Sequence, residues 1–414
     1  PDKTYSIVGG WVRDFDFSPL DWRLPIPPKV SDAMDRTQKW AITASREALL
    51  DYGYPGRSLD PDRTAVVLGN AMAGDMHYLT SLRAYYPEYA EELRAAPAFA
   101  ALAADVQAAI LEELRSGVRH RFPEITEDSM PGELANIIAG RVANLYDFHG
   151  PNFVVDAACA SALAAIDAAI EGLEQGDYDA VLTGGIDANM SASTFVKFCK
   201  IGALSATGTR PFGDGADGFV MGEGAGVVVL ESYERAKARG AKIYAEVIGY
   251  GMSGDAYHIT APAEDGAGAE RCMRAAIKRA GVDVSDIDYV NAQGTSRPMG
   301  DEIELAAVER LFGNSAGQLS MSSTKSGLPF ASLRASTLGS AWPTTLVSGT
   351  SGFGTTLGNT PGMAPTSAAP PSGPGPLSAG NWLPPTPPSR SGVRRNSRCA
   401  AEPVPSVHHA SLDC

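Results

Sequence analysis

The chain has 414 residues, of which 44% are hydrophobic and 20% charged, so it can fold around a buried core. Its net charge of −14 argues against nucleic acid or an anionic membrane as the main partner, because binding phosphates requires clustered Lys and Arg. The sequence has no apolar run of about 18 residues and no signal-peptide pattern. Its five scattered cysteines, without CxxC spacing, indicate a cytoplasmic location.

Short apolar strands alternate with helices along most of the chain. The predicted helices are residues 35–52, one or two within 87–120, 133–142, 161–175, 233–240, 267–280 and 301–312. The predicted strands are residues 64–69, 152–156, 180–183, 226–230, 243–250, 287–291 and 319–322. This alternation predicts an α/β fold with a buried sheet, and we expect two similar helix–sheet–helix layers.

The composition changes abruptly after Lys325. Residues 1–325 hold 29 basic and 46 acidic side chains, whereas residues 326–414 hold five Arg, one Glu and one Asp. The second part also contains 14 of the 29 prolines, and such Pro-, Gly- and Ser-rich sequence cannot bury enough apolar surface to offset its ordering entropy. We therefore expect residues 326–414 to form a disordered low-complexity tail. A flexible tail and a changed reading frame both remain open as its origin.

The sharpest chemical signal surrounds Cys159. A predicted strand ends, a run of small residues follows, and a helix begins at or near this cysteine. The positive end of the helix dipole favours a thiolate there, and small neighbours let a substrate carbonyl approach the backbone. The alternative is an ordinary buried cysteine, which is the preferred interpretation for Cys199 and Cys272.

Two further loops follow predicted strands, and such loops carry the sites of α/β folds. One contains Gln293 and the other contains Lys325, although from the residues alone an ordinary solvated surface lysine is the preferred interpretation of Lys325. The glycine-rich residues 208–226 lack the GxxxxGK[ST] pattern of a phosphate loop and contain three acids. We interpret them as tight turns and close backbone approaches.

Together these segments resemble the β-ketoacyl synthases, the condensing enzymes of fatty-acid and polyketide synthesis in the thiolase superfamily. The resemblance lies in DAACASAL (156–163), RPFGDGADGFVMGEGAGVVVLE (210–231), VNAQGTSRPMGDEIEL (290–305) and SSTKS (322–326). It implies a thiolase-like α/β domain over residues 1–325, with an N-terminal part to about 230 that carries the nucleophile and a C-terminal part from about 240. Because the chain begins at Pro1 without a clear leading strand and the resemblance stops near Ser326, we expect the domain to lack its first and last strands and the chain to be incomplete at both ends.

The resemblance also implies the reaction. An acyl group would move from the phosphopantetheine of acyl carrier protein to Cys159. Malonyl carrier protein would then lose carbon dioxide and attack the acyl thioester, with Gln293 and Lys325 as the other catalytic positions. No metal or organic cofactor is implied, and family members form homodimers, here through the strand at 152–156.

Two histidines of the family pattern are missing. Gln293 stands where the family has the first, and the second is absent because no histidine occurs between His258 and His408. A glutamine amide donates a hydrogen bond but cannot become protonated at neutral pH. The alternatives to an active synthase are therefore a catalytically impaired relative and a non-catalytic partner subunit. The presence of Cys159 argues against the partner subunit.

Overall fold

The computed structural model describes residues 2–327, so that nearly all of the predicted tail lies outside the described residues. The helices are α1 (Pro28–Ala33), α2 (Arg36–Tyr52), α3 (Met76–Ala84), α4 (Tyr86–Ala95), α5 (Pro97–Ala100), α6 (Ala104–Arg121), α7 (Ser129–Glu133), α8 (Asn136–Tyr146), α9 (Ser161–Gln175), α10 (Ala192–Lys200), α11 (Tyr233–Ala238), α12 (Ala267–Ala280), α13 (Pro298–Phe312) and α14 (Thr324–Gly327). The strands are β1 (Gly9–Gly10), β2 (Thr64–Gly69), β3 (Asn152–Val155), β4 (Ala180–Asp187), β5 (Met221–Gly222), β6 (Gly224–Glu231), β7 (Tyr289–Asn291) and β8 (Ser320–Ser322). Among these described helices, none is long and apolar enough to span a membrane.

The main sheet has four strands in the order β3-β2-β4-β6. β2 runs parallel to both of its neighbours, and β6 runs antiparallel to β4. In this register Gly69 of β2 lies opposite Val155 of β3 and Gly185 of β4. The loops that follow β2 and β3 therefore leave the sheet at the same edge, beside the carboxyl-terminal end of β4.

Helices cover both faces of this sheet. α2 and α8 pack on one face, and α9 packs on the other. Because side chains alternate along a strand, Val66 and Leu68 join the core beneath α2 and α8, whereas Ala65 and Val67 join the core beneath α9. All four are fully buried, and this enclosure fixes the position of α9, which follows the nucleophile segment.

The C-terminal part is built around the short parallel pair β7–β8. Apolar side chains of α12 and α13 form one buried cluster with Ile287, Val290 and Ala292 around β7. The register places Asn291 opposite Ser322, so the loops after β7 and β8 also leave at one edge. This brings the Gln293 and Lys325 segments side by side.

Several predicted elements are confirmed, and others differ. The helices at 161–175 and 267–280 and the strand at 64–69 have the predicted bounds, and α2 begins after Asp35, whose side chain caps it. A helix at Met76–Ala84 was not predicted. β4 does not stop at Gly184-Gly185 but runs through both to Asp187. Gly184 has φ +146°, and a Cβ there would collide with the carbonyl oxygen of Gly226 on β6. These glycines therefore permit close strand approach and do not end the strand.

The predicted strand at 243–250 was wrong. No described strand pairs with this segment, and a strand needs a partner for its backbone hydrogen bonds. Its apolar side chains Ile243, Tyr244, Val247 and Ile248 are exposed. The predicted second layer, similar to the first, is therefore represented among the described residues only by the two strands β7 and β8.

Candidate active site

Cys159 lies in a 3-10 turn, Ala158–Ala160, between β3 and α9. The α-helix itself begins at Ser161, two residues after the cysteine. The side chain of Cys159 is exposed, whereas Cys199 and Cys272 are buried as expected for inert cysteines. Of the three described cysteines, the predicted nucleophile is thus the one that a substrate can reach.

The turn around Cys159 is strained and tightly held. Ala158 has φ +50°, a left-handed conformation that a residue with a Cβ adopts at a cost. Its N–H donates to Asp156 Oδ1 at 2.9 Å. The Oγ of Ser161 accepts the N–H of Ala157 at 2.9 Å and donates to the carbonyl of Ala158 at 2.6 Å. These bonds fix the backbone on both sides of the cysteine, in the manner of strained functional turns.

Small residues on the sheet let α9 approach closely. A Cβ on Gly69 at the end of β2 would collide with the backbone of Ser161. A Cβ on Gly185 of β4 would lie 2.6 Å from the Cβ of Ala162. The first turn of α9 therefore rests on the ends of two parallel strands, directly after the turn that holds Cys159. Small residues were predicted only at the turn itself. The structure shows that these two glycines on the strands are needed as well.

The Gln293 loop is fixed by side chains from two other segments. The carboxylate of Glu304 on α13 accepts the N–H of Gln293 at 2.8 Å and that of Gly294 at 2.9 Å. The hydroxyl of Ser323, beside Lys325, donates to the Gln293 carbonyl at 2.7 Å. The Gln293 and Lys325 segments are therefore joined directly.

Two carboxyl groups connect Lys325 to its surroundings. Burial raises the pKa of Glu304, Asp301 raises it further, and the positive charge of Lys325 opposes the change. Burial also raises the pKa of Asp187 to about 6, although its side chain is still reached by solvent at the end of β4. The Asp187 carboxyl is therefore an exposed acid at the carboxyl-terminal end of a buried strand. The positive charge of Lys325 lowers the pKa of Asp187, and the negative charge of Asp156 raises it, so both charges act on this one carboxyl.

Asp156 belongs to the cysteine turn, and Lys325 belongs to the loop after β8. The structure therefore joins the Gln293 and Lys325 segments through hydrogen bonds, and Asp187 lies within electrostatic reach of both Lys325 and the Cys159 turn. The sequence analysis missed Asp187 and Glu304. The signal that could have found Asp187 is its place at the end of a buried strand, beside the ends of two parallel strands.

An ion pair with a buried carboxylate also acts on Asp187. Glu223 of the glycine-rich stretch has a fully buried side chain and accepts hydrogen bonds from Arg36 at 2.8 and 3.2 Å. It also accepts the N–H of Val12 at 3.0 Å. The negative charge of Glu223 contributes to the raised pKa of Asp187. From the sequence, Glu223 was only one of the three acids that argue against a phosphate loop. In the structure it joins the N-terminal segment to α2.

The glycine-rich stretch makes the expected close approaches. Gly218 has φ +148°, and a Cβ there would collide with the backbone of Leu204. No group of three or more His, Cys, Asp and Glu side chains suited to a metal ion occurs within residues 2–327.

Comparison with known proteins assigns the chain to a family. The model of the β-ketoacyl synthase N-terminal domain matches residues 2–236, and the model of the C-terminal domain matches residues 244–340. The chain is 42% identical to a 3-oxoacyl-[acyl-carrier-protein] synthase 2 of Rhizobium meliloti (strain 1021) over 328 residues, which cover 76% of this chain and 68% of the relative. It is 37% identical to a protein of the same name from Staphylococcus aureus over 330 residues, 78% of this chain and 73% of that one.

A solved structure agrees with these sequence matches. The crystal structure of a β-ketoacyl synthase from Burkholderia phymatum STM815 superposes with a TM-score of 0.61 at 28% identity, covering 78% of this chain and 70% of that one. The predicted thiolase-like α/β fold class is confirmed. With both domain models matched in order along the chain, this protein belongs to the β-ketoacyl synthase family.

Proposed function

We propose that this chain is a β-ketoacyl-acyl-carrier-protein synthase. It would catalyse the decarboxylative condensation of an acyl group on Cys159 with malonyl carrier protein, in fatty-acid or polyketide synthesis. The observation that carries the proposal is an exposed cysteine in a strained, hydrogen-bonded turn at the start of α9, in a chain of the β-ketoacyl synthase family. The names of the relatives support acyl carrier protein as the partner.

In the first stage the Cys159 thiolate attacks the carbonyl of the acyl thioester. The new bond joins Cys159 Sγ to the acyl carbon, and the carrier thiol leaves with a proton. The Cys159 side chain is exposed and lies just before the N-terminus of α9. This stage requires neither Gln293 nor a histidine, because no proton must be taken from the acyl group.

In the second stage malonyl carrier protein loses carbon dioxide, and the remaining carbanion attacks the acyl carbon. The bond to Cys159 Sγ breaks, and the thiolate is regenerated. Negative charge develops on the malonyl thioester oxygen, and donors aimed at that oxygen lower the barrier. Gln293 supplies an amide N–H as a donor, and Lys325 supplies a positive charge on the neighbouring loop. Since an amide cannot exchange a proton as an imidazole does, this stage is slower than with histidine.

Mass spectrometry after incubation with acyl carrier protein loaded with an acyl chain tests the proposal. We expect an acyl adduct on the chain that Cys159→Ala abolishes. The matched control is Cys272→Ala, since Cys272 is buried, and it should leave the adduct unchanged. A chain without any adduct would instead act as a non-catalytic partner subunit.

Release of carbon dioxide from malonyl carrier protein tests the second stage. We expect release from the parent chain and a gain on the order of 10²-fold in Gln293→His, because one general acid–base group contributes about that factor or more. An adduct without any release from the parent identifies the catalytically impaired relative.

We also propose a homodimer and a cytoplasmic location. β3 is the edge strand of the main sheet, and its Phe153 is exposed, so a second copy would cover both the strand edge and this ring. Sedimentation analysis should find a dimer that Phe153→Lys weakens, and a monomeric parent would contradict this. The cysteine usage supports a reducing compartment, and fractionation of the native cells with detection of the chain checks it.

A further inference from the structure

The glycine-rich stretch crosses from the main sheet to the Gln293 loop. The N–H of Arg210 donates to Ser296 Oγ at 2.8 Å, and the N–H of Gly218 donates to the Ser296 carbonyl at 2.8 Å. Between them, the N–H of Phe212 donates to Asp301 Oδ2 at 2.8 Å. Ser296 and Asp301 are buried, and Ser296 lies three residues after Gln293. Three backbone hydrogen bonds thus attach this stretch to the loop and to the start of α13.

The ring of Phe212 rests on Gly294. A Cβ placed on Gly294 would lie 2.6 Å from Phe212 Cε2 and 2.6 Å from the Cβ of Ser323. Gly294 has φ +44°, so both its backbone conformation and its surroundings require glycine. The ring is partly buried and packs against the same apolar cluster as Val290 and Ala292 of β7. Phe212, Gly294 and Ser323 therefore meet at one point.

The backbone of Phe212 is itself strained. Its φ is +57°, which is unusual for a bulky residue. The hydrogen bond to the Asp301 carboxylate holds this conformation. Burial raises the pKa of Asp301, while hydrogen bonds from backbone N–H groups, including that of Phe212, lower it. The carboxyl therefore accepts hydrogen bonds from the backbone around it. Strain held by a buried acid is the kind found at functional positions.

We propose that Phe212 is a positioning residue for the condensation stage, an inference that rests on the proposed function. Glu304 holds the two N–H groups of the Gln293–Gly294 segment, and Ser323 holds the carbonyl of Gln293. The Phe212 ring and the Ser323 side chain both lie against Gly294. The ring thereby sets the placement of Gln293 relative to Lys325, while the turn of Cys159 is fixed by separate bonds.

The test compares Phe212→Ala and Phe212→Leu with the matched control Phe219→Ala. Phe219 lies in the same glycine-rich stretch but packs edge-on against Phe198, with ring centroids 5.3 Å apart, in a different apolar cluster. For each chain three quantities are measured: the rate of adduct formation on Cys159, the kcat and KM of carbon dioxide release from malonyl carrier protein, and hydrogen exchange of the amides at 291–296 and 154–161.

We expect adduct formation in Phe212→Ala to stay near the parent rate, while kcat for carbon dioxide release falls on the order of 10- to 100-fold at unchanged KM, as for a reacting group misplaced by about 1 Å. Exchange at 291–296 should rise and exchange at 154–161 should not. Phe212→Leu should recover part of the loss, and Phe219→Ala should change none of these. A parallel fall of both stages in Phe212→Ala, or the same exchange pattern in Phe219→Ala, would overturn the proposal.

The outcome stays separable from that of the proposed function. A parent chain that forms no adduct contradicts the proposed synthase. Hydrogen exchange still decides the role of Phe212 in that case, because faster exchange confined to 291–296 supports it and unchanged exchange contradicts it.

Discussion

The turn of Cys159 and the loop of Gln293 are supported by different kinds of structure. The cysteine turn follows a four-stranded sheet whose two faces are covered by α2, α8 and α9, so its position is set by enclosed apolar packing. The Gln293 loop follows the two-stranded pair β7–β8 and is held by the polar side chains of Glu304 and Ser323. Apolar packing resists single changes in polar contacts, whereas a hydrogen-bonded loop depends on each of its partners. We call the part around the four-stranded sheet the N-terminal half and the part around β7–β8 the C-terminal half. The first stage of the proposed reaction therefore relies on the N-terminal half, whose sheet is enclosed.

The largest effect should come from truncating a core leucine in each half. Leu182 of β4 is fully buried between α2, α8 and the sheet, whereas Leu311 of α13 borders a surface cavity of about 280 Å³. We expect Leu182→Ala to lower the free energy of unfolding by about 4–5 kcal/mol and Leu311→Ala by about 2 kcal/mol, because neighbours at an open site move into the space. Urea denaturation of both variants measures this. Equal losses of unfolding free energy in the two variants would contradict the view that the N-terminal half is the more enclosed.

A smaller effect should appear where the two halves meet. Asp167 of α9 is buried, its Oδ1 has no hydrogen-bond partner among residues 2–327, and Arg279 of α12 is near. Burial raises its pKa to about 6, and Glu171 adds to the shift. Since the folded chain holds this proton more tightly than the unfolded chain, folding loses stability as the pH rises from about 4 through about 6. We expect Asp167→Asn to stabilise the protein by about 1–3 kcal/mol at pH 7.5 and to have little effect near pH 3.5.

The control for this change is a substitution that should lower the stability at pH 7.5. The hydrogen bond from Arg63 lowers the pKa of Asp179, so its stabilising contribution is present above the unfolded pKa and is lost as the pH falls. Asp179→Asn should therefore destabilise at pH 7.5. Urea midpoints of both variants across this pH range check the pair, and destabilisation by Asp167→Asn at pH 7.5 would contradict the assignment.

The smallest effect should lie at the start of β3. Hydrogen bonds to Asp62 at 2.6 Å and to Asp147 at 3.0 Å raise the pKa of His149, which is exposed. The stabilising contribution of a raised histidine pKa is present below the unfolded value of about 6.5 and is lost as the pH rises through the folded value. His149→Gln should slightly lower the Tm at pH 5.5 and leave it unchanged at pH 9. A loss of the same size at both pH values would show that packing, and not charge, accounts for it.

Much of the candidate site could be predicted from local sequence. The turn at Cys159 follows from an apolar strand, small residues and a helix pattern, all within 152–175. Gln293 and Lys325 were found because each follows a short apolar strand. Phe212 could not be found in this way, since nothing near it in the sequence indicates that its ring meets Gly294, 82 residues later. Asp187 could not be placed at a strand end, because the predicted strand stops at residue 183 and β4 runs to Asp187.

The sequence by itself determined the family, the α/β class and the bounds of the elements whose signals are local, such as the strand at 64–69 and the helices at 161–175 and 267–280, and it predicted the nucleophile. Those features depend on apolar periodicity and on glycines that lie within a few residues of each other. The tertiary structure decided that β4 continues through Gly184, that 243–250 forms no strand and that Phe212 rests on the Gln293 loop. Each of these depends on which distant segments meet, because close packing and strand pairing are properties of two surfaces and not of one.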